Sequence, residues 1–167
     1  MMKIQKLPRR TYFLIFGILF GGIFLDQLTK LLAVKYLLPV DTVPLWEGVL
    51  HLTYVENTGA AFGMMKDARW VFLLLSSVAI VGIALYLFFG YARTTLATVA
   101  FSMIVSGGIG NMIDRIALGY VIDFIDFRLI HFAVFNGADS FVCVGAGLLV
   151  LSLILDILHE KKEKQDT

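Results

Sequence analysis

The chain has 167 residues, 59% of them hydrophobic, with a formal net charge of only +1. Its mean hydropathy of +0.84 is far above that of soluble domains, which points to an integral membrane protein with room for one compact domain. The near-neutral charge excludes a broad basic surface for nucleic acid.

Residues 1–11 carry Lys3, Lys6, Arg9 and Arg10 ahead of an apolar run. A signal peptide begins this way, but no small-residue cleavage site follows and the run continues past Asp26 and Lys30. An uncleaved first span over residues 12–32 is expected, about the twenty residues needed to cross the hydrocarbon core. Residues 35–69 differ. They contain Pro39, Pro44 and a polar–apolar alternation over 49–56, which predicts short strands or extended loops outside the bilayer core. Asn57-Thr58-Gly59 marks a turn, and Trp46 and Trp70 are placed like interfacial anchors.

Residues 70–91, 95–112 and 137–158 are read as the second, third and fourth spans. Ser102, Ser106 and Gly110 recur every four residues, as do Gly17 and Gly21; this spacing permits close helix contact, and each is read simply as a permissive packing position. Cys143 lies in an apolar run with no partner for an internal disulfide, so core packing is its expected role. His51, His131 and His159 lack the spacing of metal ligands, and neither metal nor other cofactor is expected.

Basic residues set the orientation. Lys3, Lys6, Arg9, Arg10, Arg93, Lys161, Lys162 and Lys164 crowd the short flanks of one face, whereas the other face has two longer, sparsely basic connections. The denser face is cytoplasmic, which puts both termini inside. Asp26, Lys30, Asn57, Gly59, Asn111, Asp114, Arg115, Asp123, Asn136 and Asp139 then all fall at the opposite, extracytoplasmic face. Ionisable groups at span ends are costly and mark a functional site.

Each residue has two readings. Asp26 and Lys30, four apart in acid-first order, suit a helix-end ion pair as well as a site-supporting role. Arg115 can snorkel or brace a carboxylate, with Asp114 as a candidate partner. If residues 120–127 are extended, Asp123 and Asp126 point to opposite faces, so that one meets the site and Asp126 meets solvent. Asn136 and Asp139 are spaced like a helix N-cap and its third residue. Two carboxylates held close share one proton and can perform acid–base hydrolysis without metal. Proton-coupled transporters use paired aspartates too, usually near the membrane midplane rather than at span ends.

The residues Asp26-Gln27-Leu28-Thr29-Lys30, Asn57-Thr58-Gly59-Ala60-Ala61-Phe62, Gly107-Gly108-Ile109-Gly110-Asn111-Met112-Ile113-Asp114-Arg115, Val121-Ile122-Asp123-Phe124 and Phe135-Asn136-Gly137-Ala138-Asp139-Ser140 together resemble the motif set of the lipoprotein signal peptidases, signal peptidase II. Their order and intervals match across nearly the whole chain. Gly137 departs from the pattern, where a bulkier apolar residue is expected. The resemblance implies an all-α integral membrane protein of four transmembrane helices with a small extracytoplasmic β-cradle from the first outer loop and a flap near Lys66. It implies a monomeric aspartyl endopeptidase of the bacterial inner membrane that cuts diacylglyceryl-modified prolipoproteins before the lipidated cysteine. Asp123 and Asp139 would be the catalytic pair, and Asp26, Asn57, Asn111, Arg115 and Asn136 the supporting polar shell. Membrane lipids and globomycin-type cyclic peptide inhibitors are the other implied partners.

Overall fold

The structure, a computed structural model, describes residues 7–59 and 69–165. The segment around Lys66, expected as a flap, lies outside the described residues. Four helices dominate: α1 (Arg9–Tyr36), α2 (Arg69–Phe88), α3 (Thr95–Ala117) and α4 (Gly137–Gln165). All four are long and apolar enough to cross a membrane. Three strands, β1 (Thr42–Trp46), β2 (Leu50–Asn57) and β3 (Val121–Asp126), form one antiparallel sheet in the order β1-β2-β3.

The sheet is not the product of the first connection alone. β1 and β2 form a hairpin there, closed through Gly48 at φ +72°, but β3 comes from the connection between α3 and α4. Pairing of β2 with β3 sets Val55 opposite Asp123 and Asn57 opposite Val121. This register joins two stretches far apart in sequence beside the ends of the helices.

Local chemistry explains where the helices start and stop. The Thr94 hydroxyl accepts the Ala97 N–H at 3.0 Å and caps α3. α3 ends when Leu118 and Gly119 N–H groups both donate to the Asp114 carbonyl, and Gly119, at φ +94°, turns the chain into β3.

α3 is the central helix and packs against the other three, α4 most extensively. Small residues permit this approach. A side chain at Gly107 would strike the Ala138 carbonyl oxygen, and one at Gly145 would strike that of Ala100. Ser102, Ser106 and Gly110 are buried, and their four-residue spacing permits this contact. On α1 the packing position is Gly22, where a side chain would strike Ser106 and Phe141, whereas a side chain at Gly17 or Gly21 would begin in open space. A four-residue period does not tell which face of a membrane helix meets protein.

Candidate active site

A cavity of about 630 Å³ opens among α2, α3, α4 and the sheet, and both Asp123 and Asp139 line it. β3 contributes Asp123 and the first turn of α4 contributes Asp139. Asn57, at the end of β2, donates its Nδ2 to Asp123 Oδ2 at 2.9 Å. Its own Oδ1 accepts the Gly59 N–H at 3.0 Å, so the turn that the sequence marks also aims the amide.

Asn136 joins the two carboxyls. Its Nδ2 donates to Asp123 Oδ1 at 2.6 Å, and its Oδ1 accepts the Asp139 N–H at 2.9 Å. Asp139 Oδ2 reciprocates by accepting the Asn136 N–H at 3.2 Å, which completes a capping box at the start of α4. Asn111 reaches Asp139 Oδ1 from α3 at 2.7 Å. Burial dominates the electrostatics of Asp123, which is 1% exposed. Burial and the nearby Asp139 charge outweigh the Asn57 and Asn136 hydrogen bonds and the Lys30 charge, and the carboxyl is pushed up to about 7.

Beneath this pair lies an ionic cluster. The Lys30 ammonium, 2% exposed, contacts Asp26 Oδ2 and Asp114 Oδ2 at 2.9 Å each and Asn111 Oδ1 at 3.0 Å. Asp26 Oδ1 accepts the Ala138 N–H at 2.9 Å, and Asp114 Oδ2 accepts the Ile122 N–H at 3.2 Å. The expected Asp26–Lys30 ion pair is formed, and the cluster around it ties α1 to α3, to the start of α4 and to β3. Gln27, which sequence reasoning did not single out, donates to Asp26, Asp114 and the Gly110 carbonyl. Its signal was an amide next to a buried aspartate.

Other expectations are corrected. Asp114 partners Lys30 rather than Arg115. Among the described residues Arg115 forms no ion pair. Its guanidinium lies over the Phe72 ring at 5.1 Å and reaches the Asn111 and Gly59 carbonyls at 3.4 Å, with its charge facing Asp139 and Asp123 across the cavity. Asp126 does point away from Asp123, but it is buried rather than solvated, because Thr53 and Arg128 both bond its Oδ2 at 2.8 Å. Cys143 is exposed and lines the cavity instead of packing in a core. Gly137 is accommodated: a Cβ there would make only ordinary contacts with Asp26 and Thr29.

The chain as a whole is similar to known proteins. The family described as Signal peptidase (SPase) II matches residues 18–155. A lipoprotein signal peptidase of Brevibacillus brevis is 42% identical over 145 residues, which cover 87% of this chain and 95% of that one. One from Caldanaerobacter subterraneus subsp. tengcongensis is 50% identical over 128 residues, covering 76% and 86%. A solved bacterial membrane enzyme superposes with a TM-score of 0.74 at 26% identity, over 92% of this chain and 97% of its own.

Proposed function

Since the chain belongs to the signal peptidase II family, and is thus a multi-pass bacterial membrane peptidase that removes signal peptides from lipoproteins, we propose that Asp123 and Asp139 perform the hydrolysis as an aspartic dyad. The observation that carries this reading is that the two carboxyls line one cavity and are bridged by Asn136, whose Nδ2 donates to the Asp123 carboxyl and whose backbone N–H donates to that of Asp139. In the ground state Asp123 holds the proton, consistent with the upward push of its burial. Asp139 takes a proton from a water, and the resulting hydroxide attacks the scissile carbonyl carbon while Asp123 gives its proton to the carbonyl oxygen. The tetrahedral diol then collapses. Its C–N bond breaks, Asp139 passes its proton to the departing amine, and Asp123 recovers a proton from the diol hydroxyl.

The departing amine is that of the diacylglyceryl-modified cysteine, which becomes the new N-terminus. Arg9, Arg10, Arg93, Lys161, Lys162 and Lys164 lie at the helix ends opposite the dyad in a four-span topology, which supports a cytoplasmic location for those ends and an extracytoplasmic one for the site. A substrate with a membrane-spanning signal peptide and a lipid presents its scissile bond at that interface. The test is cleavage of a lipid-modified prolipoprotein by purified Asp123→Asn and Asp139→Asn enzymes that fold normally. Loss of cleavage in both is expected; substantial activity in either removes that residue from the chemistry.

A further inference from the structure

Lys30 has three protons and three acceptors, and only two of those acceptors are carboxylates. An ion pair built for stability would be complete with Asp26 and Asp114. The third bond goes to Asn111 Oδ1, and the other end of that amide donates to Asp139. We propose that Lys30 is a positioning residue for the dyad, holding the Asn111 amide in the single orientation that delivers a hydrogen-bond donor to Asp139. This inference rests on the dyad reading above.

The chemistry of the donors enforces the orientation. An ammonium can only donate, so the atom of Asn111 that faces it must be the oxygen. The Asn136 Nδ2 meets the same oxygen at 3.0 Å. Asn136 is itself fixed, because its Oδ1 accepts the Asp139 N–H while its Nδ2 also serves Asp123 and the Ile122 carbonyl. With the Asn111 amide reversed, its NH₂ would face two donors and its oxygen would face a carboxylate. Lys30 thus acts on Asp139 from α1 without touching it, through one rigid amide on α3. The other charged groups around this relay are Asp26 on α1, Asp114 and Arg115 on α3, Asp123 on β3 and Asp139 on α4.

A double-mutant cycle tests it, with Lys30→Met, Asn111→Ala and the pair combined, assayed on a lipid-modified prolipoprotein in detergent with thermal unfolding alongside. If Lys30 works through Asn111, each single change lowers kcat by at least about tenfold with KM within about threefold, and the double variant is no worse than the poorer single. Losses that multiply in the double variant, or wild-type kcat in Lys30→Met, would overturn the proposal. Should Lys30→Met not fold, the charge-balanced Lys30→Met/Asp114→Asn enzyme replaces it in the same cycle, with Asp114→Asn as the reference. Asp139→Asn separates the two readings. If it cleaves normally, the dyad fails and the relay has nothing to position; if it is inactive while the cycle is additive, only the role of Lys30 fails.

Discussion

The two ends of the α3–α4 pair bury polar groups by different means. Towards the start of α3, the buried Thr98 and Ser102 hydroxyls return to carbonyls of their own helix, those of Thr94 and Thr98, and Thr94 meets Ser152 across the interface at 3.1 Å. Towards its end, the Asn111 and Asp114 side chains are satisfied, among the described residues, by side chains from α1, from Asn136 and from α4 and by the backbone of β3. A hydroxyl bonded within its own helix costs little to bury. A buried charge whose partners come from other elements leaves an uncompensated ion when any one of them is removed, a loss of several kcal/mol. The first end shows that these helices can pack without ions. Packing therefore does not account for the ions at the second end, and the cost they carry supports the proposed site there.

Breaking that second end at the carboxyls should have the largest effect. Asp123→Asn and Asp139→Asn keep shape and most hydrogen bonding, and cleavage of a lipid-modified precursor should fall by at least about two to four orders of magnitude. Asp126→Asn should stay active, since its partners are Thr53 and Arg128; an inactive Asp126→Asn enzyme would undo the division of the strand into two faces. Next comes packing. Gly107→Val drives a methyl into the Ala138 carbonyl and should cost about 1–3 kcal/mol or more, read as a lowered Tm, whereas Gly17→Val meets nothing and should leave Tm unchanged.

The pH dependence is smaller and sharpens the contrast. Asp123 titrates near 7 in the folded protein against an ordinary value of 3.8. Between those values the folded protein keeps a proton that the unfolded chain has released, so this group's contribution to stability declines as pH rises through the window. Cleavage by the proposed dyad uses that proton, so it should fall as pH rises through about 7, measured as a pH–rate profile. The least effect is expected at the hydroxyl end: Ser152→Ala removes the bond to Thr94 and should cost about 1 kcal/mol of stability with no change in turnover.

Much of this was legible in the sequence, in proportion to how local the cause is. Apolar runs marked the helices but not their ends. α1 spans Arg9–Tyr36 around the apolar window 12–32, and α4 continues to Gln165 through a charged tail. Hydropathy reports where a chain can lie in hydrocarbon; caps and turns decide where the helix stops. The alternation over 49–56 gave β2, since a period of two is a property of the strand itself. Partner choice was not legible. Nothing near Lys30 names Asp114, and nothing near Arg115 says that its neighbour in sequence is committed elsewhere. The place of Cys143 and the packing glycine of α1 were not legible for a related reason: in a membrane helix every face is apolar, so composition cannot distinguish the faces towards protein, lipid or cavity.

Asn136 has one further consequence. The same side chain starts α4 and bridges the two aspartates. First turns of helices fray long before a bundle melts, and here fraying would release the Asp139 N–H and let go of Asp123 together. The proposed dyad and the first rung of α4 thus share one latch, so heat should silence cleavage reversibly at temperatures where the rest of the four-helix bundle is still folded.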